Sequence, residues 1–416
     1  MKKFLAVIFI LLLTFIGLTY WSVSIVPEEV KLSEVIKSGK AGDSVWVAAS
    51  NLYKGNGLKN FMQGKNYRQA WATPVKVPIV FLDTLKGGVK IVEEGGGKQT
   101  HSLRLKASDG TLYSLRSINK DPTPLVPDIA RDLGLKNIII DGISAQHPYG
   151  ALLSAPLSEV AGVLHTHPQL YYLPKQKTFE KFTEAYGNKL YYLEYETEGK
   201  VNWTAVEDVT EIVDTDDLQE LKLKFKEGVS IDKAAFVRAR LFDLLIGDWD
   251  RHAKQWGWVL QKRDSSFFAT PLAGDRDNAF FTIDGILPAI LTNRNIQPMV
   301  RPYDEDIDYM GGLVYPVDVY FLRNTSEEIF VEQAKFLQTV LTDEKIEKAF
   351  EAWPSEINQL NKKEIKKNLK IRRDNLVKYA RKFRKEIDKR ELLKEPLKGS
   401  EDLTLPASLL QCFDCN

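Results

Sequence analysis

One stretch constrains the fold more than any other: Arg240 to Trp258, RLFDLLIGDWDRHAKQWGW. A mostly apolar run, Ala234 to Ile246, stops at Gly247, and a dense polar cluster follows: Asp248, Asp250, Arg251, His252, Lys254 and Gln255. Trp256 to Gln261 then reads as a strand. Helix, polar loop, strand is an arrangement that holds loop side chains rigidly from both sides. A second acidic cluster, Gly274-Asp275-Arg276-Asp277-Asn278, begins nineteen residues after Gln255. The length between them suits a hairpin, and two acidic loops at the open end of a hairpin can converge on one cation or one phosphoryl group.

The N-terminus adds a second constraint. Lys2 and Lys3 precede Phe4 to Trp21, a run without charge. It fits a signal peptide or an N-terminal anchor, and no obvious small-x-small cleavage site follows. The reading adopted is an anchor, residues 1–22, with the two lysines kept in the cytoplasm and the main domain outside. The alternative is a secreted or periplasmic chain after cleavage. With 416 residues the chain is long enough for two or three domains. The net charge of +1 gives no global pull toward nucleic acid, so no nucleic-acid partner is expected. Two cysteines, Cys412 and Cys415, cannot form a disulfide framework and are read as part of an incidental tail.

Residues 23–86 read as a tether and wrapping segment: a short helix from Pro27 to Ser38, then an extended, irregular stretch over 45–82. Within it, KNYRQAW (Lys65 to Trp71) reads as a packing motif. Residues 87–198 are β-rich. Gly95, Gly96 and Gly97 precede an alternating run, Thr100 to Lys106; Asp109-Gly110 is a turn signal, and Leu112 to Ile118 alternates again. Glycines at such a position let backbone N–H groups approach a phosphate. Asp128 to Leu135 reads as a helix and Ile138 to Ile140 as a short buried strand. Ala155 to Val163 reads as a helix with Pro156 in its first turn, and Gln169 to Leu173 and Leu190 to Tyr195 as strands. His165 and His167 stand two apart before Pro168, a spacing that can bind one metal from a strand. The Ser-x-x-Asp that zinc isopeptidases with an HxHP element also carry is absent from Tyr171 to Phe182, so ordinary strand or turn histidines are the reading preferred.

From residue 199 the pattern turns helical: Asp216 to Phe225, Ile231 to Ile246, Glu327 to Leu341 and Asp343 to Ala352. Ala279 to Ile283 reads as a strand, and 284–320 as loop. The C-terminal lobe ends at about 354. A single basic amphipathic helix is expected over 355–396, with 397–416 as a tail. Within 361–395 fifteen Lys or Arg stand against six acids. A solvated face on a docked helix is the reading preferred; an acidic partner or anionic lipid is the alternative.

The order of these parts resembles the protein-kinase-like fold, in its atypical branch of HipA-like, phosphatidylinositol and secretory-pathway kinases. There the loop often reads Asp-x-His-x-x-Asn, followed after a hairpin by a metal-binding Asp. Asp250, His252 and Gln255 fall at those places, with Gln for Asn, and Asp275 or Asp277 at the metal Asp. YSLRSI (113–118) resembles the third-strand VAIK pattern with Arg116 at the lysine position and Lys120 as the fallback. Glu159 stands at the partner acid, Leu193 to Tyr195 at the hinge, and Gly95 to Gly97 at the glycine-rich loop. A group of bacterial membrane-associated proteins shares a similar GDWDRH-x-x-QW stretch, which adds membership but no activity.

The resemblance spans about residues 90–285 and implies an α+β, two-lobed fold, β-rich N-lobe and α-rich C-lobe, preceded by a membrane segment. It implies ATP and Mg2+ or Mn2+ as cofactors. Asp250 and His252 would be catalytic, Gln255 with Asp275 or Asp277 would hold metal, and Arg116 or Lys120 would meet phosphate. The phospho-acceptor stays unidentified. Arg for Lys and Gln for Asn keep an inactive pseudokinase or envelope scaffold open, and a metal-dependent hydrolase is the third reading.

Overall fold

The computed structural model describes residues 1–25, 43–95, 100–120 and 123–415; Pro27 to Ser38, Gly96 and Gly97 lie outside them. α1 (Lys2–Ser24) is a continuous helix with a mean hydropathy of 2.4 over its most apolar window, long and apolar enough to cross a membrane. β1 (Ser44–Val47) pairs antiparallel with β2 (Val75–Pro78), and between them lie α2 (Gly57–Gln63) and α3 (Arg68–Ala72). The stretch expected to be irregular therefore carries regular elements, with Asn56, Gly64 and Pro74 at their boundaries. Tyr67, Arg68 and Trp71 of the KNYRQAW motif are buried, and Arg68 forms an ion pair with Asp141.

β3 (Val89–Gly95), β4 (Thr100–Ala107) and β5 (Leu112–Lys120) form an antiparallel meander. Its second turn is at Asp109-Gly110, where Gly110 takes φ +93° and Thr111 N–H donates to Asp109 Oδ1. α4 (Asp128–Asp132), α5 (Lys136–Asp141) and α6 (Gly150–Ala161) follow, then β6 (Gln169–Leu173), α7 (Thr183–Tyr186) and β7 (Lys189–Tyr195). The sheet runs β3-β4-β5-β7-β6. Period-two alternation splits it into two unlike faces. Leu103, Leu105, Leu115, Tyr191 and Leu193 pack with Phe179 and Tyr186 on one. Ser102, Ser114, Arg116 and Glu194 share the other, by register.

Two expectations fail here. Ile138 to Ile140 belongs to α5 and is only half buried; three apolar residues are too few to distinguish a strand from a helical turn. α6 starts at Gly150, so Pro156 sits inside the helix and not in its first turn.

β8 (Val209–Val213), α8 (Thr215–Phe225), β9 (Val229–Ile231), α9 (Lys233–Ile246), β10 (Trp256–Arg263) and β11 (Ser266–Ala273) come next. A second sheet runs β8-β10-β11-β9, with β10–β11 the expected hairpin. Asp232 caps α9 by accepting from Ala235 N–H. Phe236, Leu241, Phe242, Leu244, Leu245 and Ile246 of α9 are all buried, which makes it the axis of the main core. α10 (Ile286–Leu291), α11 (Pro316–Leu322), α12 (Glu327–Val340), α13 (Asp343–Ala349), α14 (Ser355–Asp374), α15 (Leu376–Asp388) and α16 (Ala407–Gln411) complete an α+β chain of two lobes, sheet-rich first and helix-rich second.

Ala279 to Ile283 is not a strand. Phe280 takes φ +63°, a left-handed conformation that ends a ladder. The basic helix is two helices, broken at Asn375. Its apolar stripe docks: Ile365, Leu369, Leu376, Phe383 and Ile387 are buried. Several cations on its outer face meet acids of the same chain: Lys362 and Lys366 with Glu347, Lys370 and Arg373 with Asp343, Lys367 with Glu305, Lys378 with Asp306. The tail is not incidental either. Cys412 and Cys415 form a disulfide, and Phe413 packs against Phe321 at 5.2 Å while its N–H donates to Tyr320 O.

His147, just ahead of α6, stacks on Trp353 at 4.3 Å and 2°. Burial pushes its imidazole down to about 3 from 6.5. A lowered histidine contributes stability that is complete above its unfolded value and lost as pH falls toward the folded one. Stability measured by urea unfolding should therefore drop by about 2 kcal/mol from this group between pH 7 and pH 5. His147→Phe, which keeps the stack, should lose that share of the pH dependence; an unchanged profile in the variant would remove His147 as its source.

Candidate functional site

The lower layer of the site is a buried ion network. α9 ends at Gly247, whose φ of +68° turns the chain and whose missing side chain leaves room for Tyr303, 2.6 Å from where a Cβ would stand. One turn earlier, Asp243 is fully buried. Its Oδ1 accepts from Arg276 Nε and Nη2 at 3.2 and 3.1 Å, and its Oδ2 from Arg240 Nη1 at 2.9 Å and Arg251 Nε at 3.2 Å. Burial alone would raise this carboxyl, but the guanidiniums of Arg251, Arg276 and Arg240 outweigh it and hold it below the usual range. Arg240 also reaches Asp318 at 2.6 Å.

Arg251 and Arg276 come from the two polar loops, so one carboxylate positions both. Arg251 Nη1 donates to Gly274 O at 2.7 Å and Asp275 O at 3.2 Å, which ties the first loop directly to the second. Asp248, buried beside Arg251 at 3.7 Å, is pushed up to about 8 by burial, with Arg251 opposing.

The upper layer carries the groups the sequence singled out. Arg116, on the polar face of β5, reaches Asp275 Oδ1 at 2.5 Å, Asp277 Oδ1 at 3.0 Å and Glu194 Oε1 at 2.8 Å. Lys120 Nζ lies 3.4 Å from Asp277 Oδ2. Burial pushes the Asp275 carboxyl up, but Arg116, then Lys120, and to a smaller extent the Gln255 side chain hold it low. Asp275 takes φ +47°, a left-handed conformation of the kind that clusters at functional sites. On the Gln255 loop, Asp250 Oδ1 faces His252 Nε2 at 3.9 Å, and both are partly exposed. Burial pushes the His252 imidazole down, with Asp250 opposing.

Arg116, Lys120, Asp275 and Asp277 are thus in one place, with Gln255 beside Asp275 and with Asp250 and His252 on the same loop as Gln255. Glu159 is elsewhere: its Oε1 faces His165 Nε2 at 3.8 Å and His167 Nδ1 at 3.7 Å. The acid that pairs with Arg116 is Glu194, on the neighbouring strand; its signal in the sequence was a carboxylate inside an otherwise apolar strand, LYYLEY. The two histidines meet at 4.1 Å between ring centres. His165 Nδ1 accepts from His167 N–H, which leaves the neutral ring's proton on Nε2, the atom that a metal would need bare. Glu159, His165 and His167 together bring three possible ligand atoms within 4.8 Å of one another.

Gly95, Ser102, Ser114, Thr197, Ala253 and Lys254 line a separate cleft of about 530 Å³ between the lobes. Its far wall includes Lys398 and Gly399, from the segment read as a tail, and Lys254 packs closely against Gly399.

No family model matches the chain, and no curated protein matches it. Solved structures that align with it include the Helicobacter pylori proinflammatory kinase CtkA, at 13% identity and a TM-score of 0.38, over 72% of this chain and 96% of that one. Another is the Shewanella oneidensis MR-1 toxin–antitoxin complex of HipA, HipB and operator DNA, at 11% identity and a TM-score of 0.29, over 76% of this chain and 68% of that one. Alignments this loose fix no residue of the site.

Asp243→Asn should cost several kcal/mol, about 3 to 5, because it leaves guanidiniums buried without their shared partner. Asp250→Asn, on the partly exposed loop, should change stability by no more than about 0.5 kcal/mol. Chemical denaturation of both variants checks this; equal losses would dismiss the two-layer description.

Proposed function

We propose that the chain is a membrane-tethered, kinase-like phosphotransferase that moves a phosphoryl group from ATP to a hydroxyl acceptor, using Mg2+ or Mn2+. The observation that carries this is the meeting of the β5 cations, Arg116 and Lys120, with Asp275 and Asp277 of the second acidic loop, which Arg251 ties to the loop that carries Asp250. Phosphoryl transfer needs positioned charge more than covalent help.

Asp275 and the neighbouring Gln255 are the pair this reading calls on, and Asp275 is the more open of the two aspartates, 34% against 11% exposed for Asp277. These two residues would hold the divalent ion, which supplies charge neutralisation at the phosphates. Asp277 stays with Lys120 and Arg116 and orients them toward phosphate oxygens. Asp250 accepts the acceptor hydroxyl's proton as that oxygen bonds to phosphorus and the bond to the ADP oxygen breaks. His252 steadies Asp250. α1 keeps the whole at a membrane.

A second reading has its own support. Arg116 already neutralises Asp275 at 2.5 Å, and a guanidinium does not give up its charge. A protein that keeps this bond would bind partners through the same fold without transferring phosphate.

Thermal unfolding of the full chain in detergent, with ATP and either metal, separates the two. The phosphotransferase reading expects metal-dependent stabilisation, about 2.7 kcal/mol at a hundredfold excess over Kd, absent in Asp275→Ala. No shift with any nucleotide and metal would discard it in favour of the binding protein.

A further inference from the structure

At 1.5 Å per residue the 23 residues of α1 measure about 34 Å, but the helix is not free along its length. Thr19, Ser22 and Val23 are buried against the body. Gln63 Nε2 at the end of α2 donates to Ser22 Oγ at 3.0 Å, and Lys59 Nζ donates to Ile25 O at 3.0 Å. Asn137 Nδ2 of α5 donates to Val23 O at 3.3 Å, and Tyr20 OH to Leu133 O at 3.0 Å. The part that projects clear of these contacts, Lys2 to Leu18, is about 25 Å long. A hydrocarbon core is about 30 Å thick. The projecting part falls short, so α1 crosses only where the membrane surface rises to the level of Tyr20 to Ser24, the level at which the body begins.

The body is built for that position. Tyr20 and Trp21 are exposed there, the residue types that settle at a membrane–water boundary. Phe61 on α2, Ile129 on α4, Leu133 just beyond it, and Ile290 and Leu291 on α10 are between 40% and 70% exposed. α2 holds the end of α1 directly, Leu133 bonds Tyr20, and α10 packs on α2. Single exposed apolar residues carry no meaning, but a set of them bordering the exit of a membrane helix does.

We propose that this face, Phe61, Ile129, Leu133, Ile290 and Leu291 around the end of α1, is a docking surface for the bilayer that α1 crosses. The proposal rests on the anchored reading of α1. It makes the body a seated one, with its cleft at a fixed orientation to the membrane, where a tether alone would let it swing.

The test uses the full chain, carrying the photo-crosslinking residue p-benzoylphenylalanine at position 61, 133 or 290, or at the exposed control positions 223 and 336, reconstituted into phosphatidylcholine–phosphatidylglycerol vesicles. Carbonate extraction is run in parallel. Lipid adducts at 61, 133 and 290, at least about tenfold above the controls by mass spectrometry, with protein resisting extraction, are the expected result. Control-level adducts in protein that resists extraction would overturn the docking surface while leaving the anchor. Release by carbonate would overturn the anchor and the docking together. Adducts to a second copy of the chain in place of lipid would make the face a protein interface and also overturn the proposal.

Discussion

A carboxylate with no exposure to water is costly unless its oxygens are filled, and Asp243 fills them with three guanidiniums. Arg240 comes from the same helix, but Arg251 and Arg276 come from the two loops that carry the candidate site. The rest of the Arg251 fork is used on the carbonyls of Gly274 and Asp275. A single buried charge on a rigid helix therefore sets the height and spacing of both loops, and this is what lets groups nineteen or more residues apart in sequence share a site. Replacing the network with apolar side chains would remove the Arg251 bonds to Gly274 O and Asp275 O that tie one loop to the other.

The second constraint is the pleat of the five-stranded sheet. Alternation sends Leu103, Leu105, Leu115 and Leu193 to an apolar face and leaves Ser102, Arg116 and Glu194 on the face that meets the helical lobe. Arg116 is then shared among Glu194, Asp275 and Asp277. Burial raises the Glu194 carboxyl and Arg116 opposes it. With all three carboxylates ionised, Arg116 and Lys120 leave one negative charge uncompensated.

Local signals carried much of this in the sequence, because local rules govern them. The Asp109-Gly110 turn, the alternation on either side of it, the stop at Gly247 and the strand from Trp256 each follow from a few neighbouring residues. The residues that share the site stood out as polar groups beside those signals. What stayed hidden depends on partners remote in sequence. Glu159 and Glu194 were equal as acids, and only the strand order β5-β7 sets Glu194 against Arg116. Asp243 sat in an apolar helical run, where its burial was readable but its three partners were not. The positive charge of the 355–396 segment looked free because Glu347, Asp343 and Glu305, which neutralise part of it, lie in other elements. The break at Asn375 and the left-handed Phe280 leave no periodic trace at all.

The cleft adds a charge argument that bears on the proposed chemistry. Its lining includes Glu93, Glu196, Glu198, Asp214 and Asp216, against Arg104, Lys254 and Lys398. Burial pushes Asp216 up to about 6, with Asp214 next in effect, so near neutral pH most of this acidity is expressed. A bare triphosphate meets net repulsion in such a cleft, and the two cations on β5 are already engaged by carboxylates. Under the phosphotransferase proposal, a ligand bound with a divalent cation would meet less repulsion, and a cation held by Asp275 would have to compete with Arg116 for that carboxylate. The two proposed readings part at this ion pair: a site that takes a metal on Asp275 would need Arg116 to release it, and a binding protein would keep the bond.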